Sequence, residues 1–367
     1  MYIVIICSII ALLLTFLESK AILRNGMKLG FLLVTFLICV HYNYGNDYMG
    51  YLEIYELVEN NSLLDIIRGN VIVHGETGWQ VICWCFQHLG GFFSMVAVLG
   101  IIQNLIVYQF IKKYVDPEWY TFAVFIYLFV SSFYLLSFSM MRQFLVMTLL
   151  LAIWPFIEEK KWWIALPCLF VCSQIHSSSI VFLPFAFLGY IPMKNGKLLA
   201  VSLLILFLIL FLSKSFLNTV FMAIMPIGEL SSYMDTYAEK KEVNYGLGFL
   251  INMIPFCLCL YYLIIDQNDK FHGIEMRRLV FMSSIAIIIL PFVEVAPLVA
   301  RVGFYFGFFQ MAAYPVIYKT TKEKVEPIGL VSMSLFVLIT LMTYLGFYNS
   351  DVYGRAYAEF HTIFEVL

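Results

Sequence analysis

Charge is the scarcest ingredient of this chain: Asp, Glu, Lys and Arg make up 13% of its 367 residues, and the net charge is −2. A soluble domain of this length covers its surface with far more. There is no basic stripe, which excludes electrostatic binding of nucleic acid. Short alternating apolar–polar segments are missing too, and with them the pattern of a transmembrane barrel. Tyr2 to Leu17 has no basic stretch ahead of it and no small-residue cleavage site, so it reads as a retained span and not a removed signal peptide. No soluble domain, strong repeat or low-complexity tract stands out. The eight cysteines all sit inside apolar runs, and the two residues of each Cys-x-Cys pair point to different sides of a helix. They read as small polarizable packing residues, and neither a metal nor another cofactor is expected.

Apolar length is what the chain does have. Hydrophobic residues reach 62% and runs near twenty residues recur. A bilayer leaves only helices and closed barrels able to satisfy their backbone groups. The expectation is an all-α, polytopic helical integral membrane protein with about 11–12 transmembrane segments, forming a single membrane domain over 1–367. The spans are 2–17, 27–42, 79–111, 119–140, 142–157, 162–175, 178–191, 198–213, 246–265, 279–299, 301–318 and 327–348. Gly90–Gly91 interrupts the third, whose first part can lie along the interface. The two runs around His176 are short for full crossings and read as a re-entrant or hairpin region, or as one long tilted helix.

Basic residues orient the spans. Lys20, Arg24, Lys28, Lys112, Lys113, Lys160, Lys161, Lys194, Lys197, Lys270, Arg277, Arg278, Lys319, Lys322 and Lys324 can share the cytoplasmic side if the chain reverses near His176. Both termini then lie outside, with outer loops at 43–78 and 214–245 and an outer tail at 349–367. The start of the second loop, KSFLNTVFMAIMPIGEL, has the mixed pattern of a short interfacial helix.

The stretch from Ser137 to Ser179 concentrates the chemistry. Arg142–Gln143 opens one apolar run, the charged turn Glu158–Lys161 closes it, and a second run returns to His176 and Ser177–Ser179. At about 1.5 Å per helical residue Arg142 and His176 reach one depth, near the outer face. Charge held there is costly, roughly 2.5–3.5 kcal/mol on insertion scales, so a partner or a function is the default reading. On this topology Arg301 opens a later span at the same face, and His41, Asp47, Tyr48 and Tyr51 follow the second span. Two arginines suit a phosphate, since the guanidinium fork stays charged and binds oxygens bidentately; a histidine handles protons near neutrality. Each residue also has a plainer role. Helix-end arginines snorkel to headgroups, membrane histidines bond neighbouring helices, Asp47 suits a turn, and aromatic residues at span ends anchor the interface.

The order of motifs resembles the EpsG family of Wzy-type polysaccharide polymerases. Tyr42-Asn43-Tyr44-Gly45-Asn46-Asp47-Tyr48 with Tyr51 is similar to the family's R-Y-x-x-G-x-D-Y-x-x-Y, and Glu76-Thr77-Gly78-Trp79 to its E-x-G-aromatic step. Ser139-Met140-Met141-Arg142-Gln143 resembles its small-x-x-R-Q segment. Gln174-Ile175-His176-Ser177-Ser178-Ser179 resembles its F-H-x-S-A turn, and Arg301-Val302-Gly303-Phe304-Tyr305-Phe306 its R-x-x-x-Y-F. His41 stands where the family usually has arginine, and Ile175 where it has phenylalanine.

The resemblance implies glycosyl transfer at the outer face of a bacterial cytoplasmic membrane. The substrates would be polyprenyl-pyrophosphate-linked oligosaccharide repeats, joined into O-antigen, capsular or exopolysaccharide; a chain-length regulator and a flippase are implied partners beside the lipid bilayer. Arg142 and Arg301 would hold the donor pyrophosphate. His176 would deprotonate the acceptor hydroxyl or stabilise the leaving group, and Gln143, Asp47, Tyr48, Ser178, Glu76 and Tyr305 would bind substrate. No metal ligand set is implied. Among the rivals, a flippase or transporter would place charge at mid-bilayer in broken helices, and a membrane O-acyltransferase would want a basic cytoplasmic cavity. An O-antigen ligase uses the same donor with a different acceptor, and only motif order separates it.

Overall fold

The computed structural model describes residues 1–59, 61–70, 76–213, 219, 247–266, 273–290, 299–351 and 353–366. The segment expected as an interfacial helix (all but Thr219) and the end of the 279–299 span lie outside the described residues. Contacts divide the chain into two compact units, Met1–Ile191 with Val337–Leu367, and Pro192–Phe336.

Helices dominate both units, as the apolar pattern requires. In the first unit α1 (Tyr2–Ser19) and α2 (Gly26–Val40) form a hairpin. Gly26 and Gly30, four residues apart, lie against Leu14 O and Ala11 of α1, so small residues let the two backbones touch. Such packing replaces the hydrophobic drive that lipid cannot supply. After the short helices α3 (Tyr48–Val58) and α4 (Leu63–Arg68) come α5 (Thr77–Leu89) and α6 (Gly91–Tyr114), separated at Gly90 and Gly91 as their sequence foretells. Then follow α7 (Tyr120–Phe129), α8 (Leu136–Ser139), α9 (Met141–Glu158), α10 (Trp162–Ile175) and a 3-10 helix, Ser177–Tyr190.

The second unit holds α11 (Gly196–Leu212), α12 (Leu247–Ile265), α13 (Gly273–Ile288), α14 (Val299–Gly307), α15 (Gln310–Lys324) and the start of α16 (Glu326–Tyr348). Within it Phe207 packs on Phe256 with ring centroids 5.2 Å apart, and Tyr314 on Phe336 at 5.3 Å. By length and apolarity α1, α6, α9 and α16 can each cross a membrane; α2, α10, the 3-10 helix, α11 and Met253–Ile265 of α12 are shorter apolar helices. The protein is an all-α, multi-pass membrane protein.

Hydrogen bonds mark two ends of the first unit. At one, Glu18 Oε2 accepts from Met27 N at 2.6 Å, Thr121 Oγ1 donates to Ser19 Oγ at 2.9 Å, Tyr114 donates to Glu158 and Tyr190 to Lys160 O. At the other, the Met1 amine donates to Ala358 O at 2.8 Å and the tail pairs with the end of α2, β1 (His41–Tyr42) against β2 (His361–Thr362). The amino terminus and the tail therefore share an end. Around His176 the chain does reverse: α10 arrives from the turn at Lys160, and the 3-10 helix carries Tyr190 back to it. Fourteen residues at about 2.0 Å each span roughly 28 Å, so a segment too short as an α-helix reaches across as a 3-10 helix.

Two expected spans are broken. The 119–140 run stops at Phe129 and resumes at Leu136, and the 301–318 run is interrupted at Phe308–Phe309. Neither break holds glycine or proline. Each is sheathed in protein, with Phe133, Tyr134, Leu135, Phe308 and Phe309 buried, the one setting in which irregular backbone is tolerated at membrane depth. At the first, Tyr134 N donates to Tyr127 O and its hydroxyl to Val34 O, absorbing groups the helix releases.

Candidate active site

One carboxylate gathers the site. Glu76 precedes α5, Arg142 stands in the first turn of α9, and His176 joins α10 to the 3-10 helix. Arg142 Nη1 donates to Glu76 Oε2 at 2.6 Å. Glu76 Oε1 lies 3.2 Å from His176 Nδ1 and accepts from Ser177 N at 2.8 Å and Ser177 Oγ at 3.1 Å. Arg142 lies 66 and Ser177 101 positions from Glu76, so only the fold assembles them.

Local sequence explains the approach. The start of α5 packs on the end of α10 at Gly78, where a Cβ would sit 2.6 Å from Gln174 O; a side chain there would push Glu76 away from Ser177. The Arg142 guanidinium lies over the Tyr51 ring, 5.5 Å from its centroid, and Tyr51 in turn packs edge-on to Trp79 at 5.4 Å. Upstream, Gly45 holds φ 120° with Phe138 O where a Cβ would be, and Ser139 Oγ accepts from Asp47 N at 3.3 Å. The Gly-x-Asp-Tyr loop is thereby fixed to the residues just before Arg142. The tail braces the same loop: Gly45 N donates to Ala356 O, and the Tyr357 hydroxyl to Leu135 O.

Burial of the Glu76 carboxyl acts to raise its pKa. Hydrogen bonds from His176 and Ser177 and the Arg142 charge outweigh that and hold it near 2, below the ordinary 4.5. The carboxylate is therefore ionised and accepts, so His176 Nδ1 donates to it. The linkage has a definite sign. A depressed pKa stabilises the fold above about 4.5 and the contribution fades as pH falls toward 2. The melting advantage of the wild type over Glu76→Gln is thus expected to be full above that upper bound and to vanish in acid. An advantage independent of pH would contradict the ionised cluster.

The site is partly open. Side-chain exposure is 22% for Arg142, 19% for Glu76 and 12% for His176, and Ser177 is exposed. Two of its polar atoms, Arg142 Nε and His176 Nε2, are buried without a hydrogen-bond partner. Natural structures leave few such atoms unexplained, and a bound ligand is one explanation. As chemistry, the donors form an anion cradle, and the starts of α5 and the 3-10 helix add positive dipole ends.

The other expected residues are placed as follows. Asp47 is exposed at the start of α3, and Ser178 is half-buried beside Ser177. Gln143 is buried next to Arg142. Tyr48 is fully buried, its hydroxyl 3.4 Å from His41 O and its ring edge-on to His41. His41 is buried as well, with Nδ1 2.6 Å from Ile38 O. Arg301, half-buried, and Tyr305, fully buried, lie on α14 in the second unit. Two contributors went unassigned in the sequence reading: Ser177, which follows the histidine, and Tyr51, which lies one helical turn after Tyr48. The i, i+3 spacing of those tyrosines was the available signal.

The EpsG family model matches residues 27–360, nearly the whole chain. No curated protein and no solved structure matches.

Proposed function

The chain belongs to the EpsG family of Wzy-type polysaccharide polymerases, and from that premise we propose that it joins polyprenyl-pyrophosphate-linked oligosaccharide repeats into a surface polysaccharide. The supporting observation is the cradle itself: Arg142, His176 and Ser177 converge on one carboxylate at the end of the first unit opposite the basic turns. The positive-inside rule favours those turns on the cytoplasmic side, and the proposed reaction then runs at the outer face of a bacterial membrane.

In the reaction an acceptor sugar hydroxyl attacks the anomeric carbon of the donor. A new C–O bond forms, the bond from that carbon to pyrophosphate breaks, and the electron pair leaves with the pyrophosphate. Arg142 stabilises the leaving charge. His176 Nε2 takes the hydroxyl proton. Asp47 and Ser178 orient sugars from the rim, with Gln143 and Tyr48 as buried supports.

The test is surface glycan resolved by chain length, from a deletion strain and from its Arg142→Ala complement. Collapse of the ladder to a single transferred repeat is expected. Loss of all surface glycan, with long chains retained on the lipid carrier, would assign a ligase; a ladder of unchanged length would remove Arg142 from the reaction.

A further inference from the structure

Glu76 carries more contacts than positioning a histidine requires. Its two oxygens take four donors: a guanidinium N–H, an imidazole N–H, a backbone N–H at a helix start and a serine hydroxyl. That is the donor set a phosphate oxygen takes, and it is reachable from solvent through Ser177. A carboxylate placed there competes with any oxyanion that enters. Beside it, Arg142 Nε and His176 Nε2 are buried without a hydrogen-bond partner, two further polar atoms available to an entering oxyanion or its hydroxyl partner.

We propose that the Glu76 carboxylate is a built-in stand-in for a phosphate oxygen, filling the cradle of the empty enzyme and giving way when the donor pyrophosphate binds. This rests on the reading of the cradle as the donor site. Glu76 then sets the affinity of that site: it keeps Arg142 and His176 ordered and the cationic cradle neutral between turnovers, and its displacement costs binding. A carboxylate that only positions its neighbours would do the opposite, since removing it would loosen the cradle and weaken binding.

The experiment compares full-length wild type, Glu76→Gln and Glu76→Asp in nanodiscs of phosphatidylcholine, a net-neutral lipid. The probes are inorganic pyrophosphate and farnesyl pyrophosphate, read as dissociation constants. Glutamine keeps the shape and removes the charge; aspartate keeps the charge. Glu76→Gln is expected to bind both probes about ten-fold more tightly than wild type, the scale of one charge-assisted contact no longer displaced, while Glu76→Asp binds no tighter than wild type. Equal or weaker binding by Glu76→Gln overturns the proposal, as does tightening by both variants, which would make the effect one of space and not of charge. Melting of each variant in the same discs confirms that the compared proteins are folded. The outcome is separable from the polymerase reading: the glycan ladder of the Arg142→Ala strain tests that reading alone, and a polymerase whose Glu76→Gln form binds pyrophosphate no tighter refutes only the stand-in.

Discussion

A strain whose only copy carries Arg142→Lys is expected to accumulate single repeats nearly as the Arg142→Ala strain does, with elongation down by about 10²–10³-fold. The usual view of lysine as a mild replacement fails here for geometric reasons. Arg142 uses one nitrogen of its fork on Glu76, lays its plane over Tyr51, and keeps Nε within the site. A lysine ammonium is a point charge on a flexible stem; it can reach the carboxylate but cannot also stack and present a second donor to an entering oxyanion. The lysine variant should fold, because Glu76 retains a cation beside it together with His176 and Ser177. Elongation rate in membranes, measured with a lipid-linked repeat as substrate, separates the outcomes. A lysine variant within a few-fold of wild type would mean that Arg142 contributes net charge alone.

Much of this arrangement could be read before any coordinates. Apolar runs announce the helices, Gly90–Gly91 announces the break before α6, and the lysine turn between two runs announces the reversal at His176. The order Glu76, Arg142, His176 also marks the site, because its residues are charged or polar where the chain otherwise avoids both. What stays hidden is set by contacts across the chain. Hydropathy measures side-chain transfer and is blind to backbone path, so the breaks after Phe129 and at Phe308–Phe309, built of apolar and serine residues, read as continuous spans. Likewise nothing in Ser177–Tyr190 announces a 3-10 helix; only the need to return to the level of Lys160 in fourteen residues does. The pairing of the tail with His41–Tyr42 joins segments some 320 residues apart and leaves no local trace.

Arg277 shows how far a local reading can miss, and it carries the largest expected stability effect. Among basic residues it serves as one more cytoplasmic charge for orienting the chain. In the fold it is wholly buried, and so is Asp266, which follows α12. Arg277 Nε donates to Asp266 Oδ2 at 3.0 Å, Nη1 to Lys194 O at 2.7 Å and Met193 O at 3.1 Å, and Nη2 to Asp266 O. One side chain thus ties the end of α12, the first turn of α13 and the segment leading into α11. Removing the carboxylate takes from this buried cation the acid that its Nε faces. Asp266→Ala is therefore expected to lose about 3–5 kcal/mol of stability, the cost of breaking a buried ion pair by removing one partner. The pair itself need not be worth that much, because its attraction is set against the desolvation of both ions. The double variant Asp266→Leu with Arg277→Met should accordingly regain most of the loss, since apolar groups of similar size cost nothing to desolvate and keep the helices packed. Denaturation of the three purified proteins in detergent measures this directly. A single variant as stable as wild type would show that water reaches Arg277; a double variant no better than the single would show that the carbonyl contacts of Arg277, and not its charge balance, hold these helix ends together.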